Sequence, residues 1–291
     1  MNYKKPTKAI VTDAGFASRF LPITKTVPKG MLPIGNRPAI QLVIEECLEA
    51  GIEEIILVVT PEGKNIYEDY FFNPVKNVEA QLAAQGKSDR FAPVKRVLAF
   101  PKITLITQDP TLPYGNGSPI ASAKNLIPAD EAFIALWSDD VVFGPSAVKE
   151  LVESFEKHPD ARAIIGCQLV PHAEISKYGA VDYDPDTEIL RGLVEKPAPE
   201  EATSDLASYG RYLLTPEIFQ HLIPENTGKD DELWLPEAIA KLIPTGHAYA
   251  KPTSGLWMTT GDPQNYSLAL LKHILTTEDY AGEIRDFITK N

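Results

Sequence analysis

Four basic residues, Arg19, Lys25, Lys29 and Arg37, follow a short loop of small side chains at Asp13-Ala14-Gly15, and no acidic residue lies between Asp13 and Glu45. An average stretch of that length in this chain would hold about four acids. A locally basic loop inside a chain of formal net charge -12 fits a compact polyanion held in one pocket. Small residues let a ligand approach the backbone closely. Gly15 and its neighbours could then cradle phosphates through N–H groups, with Arg19 and Lys29 adding fixed positive charge. The loop matches neither the three-glycine dinucleotide fingerprint nor the Walker Gly-Lys-Ser/Thr pattern. A glycine turn with solvated basic neighbours is the plainer alternative.

Asp139 and Asp140 follow an apolar run directly and could hold Mg²⁺, a hard cation that takes one or two carboxylates and fills its shell with substrate phosphate oxygens. A turn or helix cap is the competing use of such a pair. In Glu195-Lys196-Pro197 the carboxylate suits sugar hydroxyls and the ammonium suits a phosphate, although a solvated turn would look the same. The five histidines show no metal-ligand spacing and no partner nucleophile, so none receives a role. Trp234 and Trp257 read as packing residues or as cover for a cleft.

These candidates need elements to carry them. Ala9-Ile10-Val11, the run 55–59, the run 103–107 that delivers Gln108, and the run 133–137 that delivers Asp139 all read as buried strands. Residues 38–50 read as an amphipathic helix stopped by Gly51, with Cys47 on its apolar face. Strand, helix and strand in that order make a right-handed parallel crossover, and ligands of open parallel sheets collect at the carboxyl ends of the strands. The first loop, Gln108 and Asp139-Asp140 all sit at such ends. Residues 61–100 read as an excursion over the sheet edge, and 120–126 as a short helix. The second half reads as helix 147–156, strands 163–169, 178–183, 190–194 and 208–214, and helices near 217–222, 235–242 and 264–276.

The chain has 291 residues, 44% of them hydrophobic and 23% charged, which is ordinary globular composition. Its negative charge argues against a nucleic-acid or anionic-membrane surface. Two cysteines are too few for a disulfide framework or a thiolate metal site. No apolar run has membrane-spanning length and the N-terminus lacks a signal-peptide apolar region, so a soluble cytoplasmic protein is expected. With no repeat and no linker in view, a single two-lobed domain is expected, with a nucleotide-binding part over about 1–145, a sugar-binding part over about 146–262 and C-terminal helices over about 263–291.

In order along the chain, the motifs AGFASRFLPITKTVPKGMLPIGNRP, QLVIEECLEAGIEEIILVV, ITQDPTLPYGNGSPIASAKNLI, ALWSDDVV, KYGAVDYD, LVEKPAPEEATSDLASYGRYLLTPEIF and DDELWLPEAIAKL resemble the bacterial sugar-1-phosphate nucleotidylyltransferases. The UTP–glucose-1-phosphate uridylyltransferase branch is the most similar, and the likeness runs from residue 8 to about residue 274. It implies an α/β fold with a Rossmann-like nucleotidyltransferase core, a mixed, mostly parallel sheet flanked by helices, and a sugar-binding half. It also implies formation of UDP-glucose and pyrophosphate from UTP and glucose 1-phosphate, with Mg²⁺ as cofactor and a dimer or tetramer as the assembly. Position by position, the resemblance implies that Ala14 and Gly15 meet the nucleotide by backbone and that Arg19 and Lys29 neutralise its phosphates. Gln108 would read the uracil edge, Gly115 would pack near the base or ribose, and Asp139 would bind the metal. Gly179, Glu195 and Gly210 would contact the sugar, and Lys196 its phosphate.

The chain departs from the family pattern at four places. Ala17 and Ser18 stand where the loop usually has Gly-Thr, Gly30 where a glutamate usually precedes Met-Leu-Pro, Ser118-Pro119 where a small residue and an alanine are usual, and Thr259 where an aspartate usually lies two residues before a glycine. Asp262 is the carboxylate nearest Thr259 in sequence. If position 17 has positive φ, alanine there costs on the order of 1 kcal/mol. A nucleotide-sugar-binding or regulatory homologue with weakened catalysis, the same reaction with another triphosphate or sugar phosphate, and a dinucleotide oxidoreductase are the competing functions.

Overall fold

The computed structural model describes residues 2–290. Its strands are β1 (Lys8–Asp13), β2 (Pro33–Ile34), β3 (Arg37–Pro38), β4 (Glu54–Val59), β5 (Lys102–Thr107), β6 (Phe133–Trp137), β7 (Asp140–Phe143), β8 (Ala163–Leu169), β9 (Gly179–Tyr183), β10 (Leu190–Glu195), β11 (Leu206–Leu214), β12 (Ala248–Pro252) and β13 (Leu256–Thr259). The α-helices are α1 (Ala39–Glu49), α2 (Lys64–Phe72), α3 (Lys76–Ala84), α4 (Ala92–Leu98), α5 (Gly117–Ser122), α6 (Ala147–Lys157), α7 (Leu235–Ala240), α8 (Pro263–Thr277) and α9 (Ala281–Lys290).

Nine strands make one mixed sheet. Parallel neighbours β6, β1, β4 and β5 form one side, and β11 joins antiparallel to β6. Strand β11 is nine residues long and has two partners on one edge. Arg211–Leu214 pair with β6, while Ala207 and Ser208 pair with β9, which carries β10. Its other edge holds β8, and β8 holds β12.

Successive strand side chains point to opposite faces, and both faces are covered, so the central strands are apolar throughout. Ile10, Ile56, Val58, Phe133 and Ala135 face a core closed by α5 and α7. Ala9, Val11, Ile55, Leu57, Val59 and Ile134 face the opposite core, which Ile40, Val43, Ile44 and Cys47 of α1 share with α2 and α6. Gly51 ends this first crossover with a left-handed φ of 84°.

Residues 61–100 form α2, α3 and α4 on the way to edge strand β5. The short helix expected at 120–126 begins earlier, at Gly117, because Pro119 sits in the first turn, where a proline forfeits no helical hydrogen bond. The segment expected as helix at 217–222 is a 3-10 helix, Pro216–Gln220. Strand β12 and the antiparallel pair β7 and β13 lie in stretches with no strand expected. Among the described residues, no helix is long and apolar enough to cross a membrane.

Candidate active site

At the carboxyl ends of β1, β5 and β6 the sheet opens into a cleft of about 340 Å³ that extends toward β9 and β10. Ala14, Gly15, Arg19, Lys29, Gln108, Gly115, Asp139, Gly179, Glu195 and Lys196 line it. Gly210 does not. It lies behind the wall, where an added Cβ would fall 2.5 Å from the Trp137 ring, and its N–H donates to Asp140 Oδ2 at 2.9 Å.

The two adjacent aspartates go separate ways. Asp139 turns into the cleft, where the Lys29 ammonium donates to its Oδ2 at 2.6 Å. Asp140, the first residue of β7, is buried and accepts from Trp257 Nε1 at 2.8 Å as well as from Gly210. Burial, with the Asp139 charge second, pushes its carboxyl up to about 6. For Lys29, burial works against the ammonium, but the carboxylates of Asp139, Asp13 and Asp140 outweigh it and hold the pKa above its ordinary value. Lys29 is therefore a permanent cation at the mouth of the first loop.

Asp13 is a member of the site that the sequence reading passed over. Ser138 Oγ donates to its Oδ1 at 2.8 Å, while Gly30 N–H at 3.0 Å and the Tyr67 hydroxyl donate to Oδ2. This network accounts for Gly30. A Cβ there would come 2.9 Å from Asp13 Oδ2 and 3.1 Å from the Tyr67 oxygen, so a larger residue would require that carboxylate or the tyrosine to shift. The loop ahead of it is strained, since Ala17 has φ 47° and ψ 39°. Its carbonyl accepts from Thr24 Oγ1 at 2.8 Å and from Phe20 N–H at 3.1 Å, and these bonds hold it there. Phe16 stacks on Tyr114 with ring centroids 5.6 Å apart, bridging this loop to the one carrying Gly115.

Gly115 is required by a backbone contact. Its φ is 131°, and an added Cβ would lie 2.4 Å from the Leu233 carbonyl oxygen. On the opposite bank, Gly179 pairs with Glu195 across β9 and β10, and a Cβ there would strike Ser208 Oγ at 2.5 Å. Lys196 also has positive φ, 46°, and its ammonium lies 4.2 Å from the Trp234 ring centroid.

Thr259 lines the cleft, and its hydroxyl accepts from Gly261 N–H at 3.2 Å. Asp262 does not supply the missing carboxylate. It caps α8, accepting from Asn265 N–H at 3.0 Å and from Asn265 Nδ2 at 2.6 Å. Among the described residues, no group of three or more His, Cys, Asp or Glu side chains could hold a metal ion by itself. His158, His172, His247 and His273 each pair with a carboxylate away from the cleft.

Residues 8–274 match the nucleotidyl transferase family model. The UTP–glucose-1-phosphate uridylyltransferase 2 of Staphylococcus saprophyticus is 36% identical over 99% of this chain and 98% of its own length. That of Bacillus subtilis is 36% identical over 98% and 97%. Among solved structures, the UTP-bound enzyme from Acinetobacter baumannii superposes with a TM-score of 0.84 at 31% identity, covering 98% of this chain and 99% of that one. A UDP-glucose pyrophosphorylase complexed with UDP-glucose gives 0.80 at 30% identity, covering 92% and 98%. With the mixed sheet, the basic first loop and the strand-end aspartate already in place, the chain belongs to the nucleotidyl transferase family and stands there beside the UTP–glucose-1-phosphate uridylyltransferases.

Proposed function

We propose that this cleft joins UTP and glucose 1-phosphate to give UDP-glucose and pyrophosphate. The observation that carries the reading is the placement of charge on two banks. Arg19 and Lys29 sit on the first loop, Glu195 and Lys196 face them from the end of β10 and the residue after it, and Asp139 lies just past the end of β6. The nucleotide-binding part is then about 1–145 and the sugar-binding part about 146–262, with C-terminal helices from 263.

A phosphate oxygen of glucose 1-phosphate attacks the α-phosphorus of UTP in line. The new P–O bond forms as the bond to the β-phosphate oxygen breaks, and pyrophosphate carries that electron pair away. No covalent enzyme intermediate is needed, so catalysis consists of positioning and charge neutralisation. Arg19 and Lys29 neutralise the triphosphate and the leaving pyrophosphate, while Ala14 and Gly15 meet it by backbone. Gln108 reads the uracil edge, and Gly115 lets the base-side loop close on Leu233. Glu195 takes sugar hydroxyls, Lys196 grips the sugar phosphate, and Gly179 keeps that bank narrow, while Gly210 lets Trp137 pack behind the wall.

The donor set fits a divalent cation held mostly by substrate phosphates, because Asp139 offers one anionic ligand directed into the cleft and Thr259 a neutral oxygen. Mg²⁺ is the ion of that chemistry, and bound there it would lower the repulsion between the two phosphate groups. Self-association into a dimer or tetramer completes the reading and is checked by sedimentation equilibrium.

The test is pyrophosphate release by purified protein with glucose 1-phosphate, Mg²⁺ and each of UTP, dTTP, CTP, ATP and GTP. UTP is expected to give the highest kcat/KM, and a higher value with another triphosphate would reassign the base. The strained Ala17 and the uncharged Thr259 favour one second reading, a nucleotide-sugar-binding homologue with weakened catalysis. Calorimetric binding of UDP-glucose without turnover of any pair would select it.

A further inference from the structure

Trp234 stands in the wall of the cleft at the entry to α7, on a backbone held from both sides. Leu233 N–H donates to the Tyr114 carbonyl at 2.7 Å, Gly117 N–H donates to the Leu233 carbonyl at 2.8 Å, and Leu235 N–H donates to Asn116 Oδ1 at 2.8 Å. Gly115 permits this approach because no side chain separates the two backbones. Residues 233–235 are therefore fixed to the 114–117 turn, and the indole between them is presented from a rigid mount.

Above that indole sits the ammonium of Lys196, 4.2 Å from the ring centroid and 3.9 Å from Glu195 Oε1. Lys196 reaches this place from a left-handed backbone that costs a non-glycine residue about 1–2 kcal/mol. Its N–H donates to the Tyr178 carbonyl at 3.0 Å, which holds the conformation. Strain of this kind persists where the surroundings over-determine it, commonly at sites that need a preset geometry. An indole face attracts a cation without neutralising it, so the ammonium keeps its full charge for an incoming anion.

We propose that Trp234 is the positioning residue for Lys196: its indole holds the ammonium ready for the phosphate of the sugar substrate, and its mount ties that hold to the nucleotide-side turn. The inference rests on the functional reading above. Atoms of Trp234 need not touch either substrate for this role, and the measurable consequence is a selective loss of sugar-phosphate affinity.

Trp234→Leu, Trp234→Phe and Lys196→Met, together with the Trp234→Leu/Lys196→Met double variant, separate the possibilities. Trp234→Leu is expected to raise KM for glucose 1-phosphate roughly fivefold, the upper end of the range for a cation–π contact to a part-exposed ammonium, while KM for UTP changes less than about twofold. Trp234→Phe, which keeps an aromatic face, should recover most of the loss. In the Lys196→Met background, Trp234→Leu should add less than about twofold, because the proposed route through the ammonium is gone. Full additivity in the double variant, or equal loss with Phe and Leu, overturns the inference. Wild-type turnover controls the functional reading. If wild type turns over no pair, the same four variants titrated with UDP-glucose by calorimetry must show the same non-additive pattern, and a wild type that binds no UDP-glucose removes both.

Discussion

In the proposed reading, two residues in the first loop set the terms on which it would meet phosphate. The left-handed Ala17 costs about 1–2 kcal/mol, and glycine there would relieve that cost but add freedom to the unfolded chain worth roughly 0.4–1 kcal/mol. Ala17→Gly is therefore expected to raise stability by about 0.5 kcal/mol in urea denaturation, and a loss of stability would show that the conformation is not strained. In the proposed reaction Lys29, held charged by three carboxylates, would act where negative charge moves onto the leaving group. Lys29→Met should lower kcat by roughly 10²–10³, the range for removing one preorganised charge-stabilising donor, with far-UV circular dichroism unchanged. At this scale the basic loop and Asp139 were legible because charge and small residues lie next to each other in the chain. The Asp13 network was not, since its donors Tyr67 and Ser138 lie 54 and 125 residues away and only the fold brings them in.

Between elements, Glu54 fastens three parallel strands at the end opposite the cleft. Lys8 of β1 and Lys102 and Thr104 of β5 all donate to its carboxylate from β4. Burial alone would raise this carboxyl, but those hydrogen bonds and the Lys8 charge outweigh it and hold the pKa down to about 2 from an ordinary 4.5. A depressed folded pKa stabilises fully above the unfolded value and is lost as pH falls from about 4.5 to about 2. Glu54→Gln should therefore cost about 2 kcal/mol at pH 7, and the gap from wild type in urea midpoints should close toward pH 2. Strands β1, β4 and β6 were legible as unbroken apolar runs because they are buried on both faces. Strand β12 was not, because Lys251-Pro252 end its short apolar stretch after three residues. The pair β7 and β13 is shorter still, four residues each, and its pairing is decided by partners more than a hundred residues apart.

Across the whole molecule, one buried ion pair joins the sheet to its helical layer. Arg211 of β11 is fully buried and gives Nε at 3.0 Å and Nη2 at 2.7 Å to Glu46 Oε2 on α1, while Nη1 reaches the Gly210 carbonyl at 2.7 Å and Nη2 the Asp140 carbonyl at 2.7 Å. Glu46 Oε1 in turn accepts Val148 N–H of α6 at 3.0 Å. Removing one member leaves the other charge buried and unpaired, so Glu46→Ala is expected to cost about 3–5 kcal/mol, read by thermal and urea denaturation. Nothing in the local sequence pairs Glu46 with Arg211, and only the fold, which buries both, makes the link visible.

Strand β11 hydrogen-bonds to β6 and to β9 along one edge, so both banks of the cleft hang from a single continuous backbone. Opening the banks like a jaw would require breaking backbone hydrogen bonds along that strand. Substrate entry is therefore a matter of small parts moving over a stiff frame: the Phe16–Tyr114 stack, the first loop and the Lys196 side chain. Amide hydrogen exchange should find β11 among the slowest segments with and without UDP-glucose, and the first loop among those whose exchange the ligand slows most.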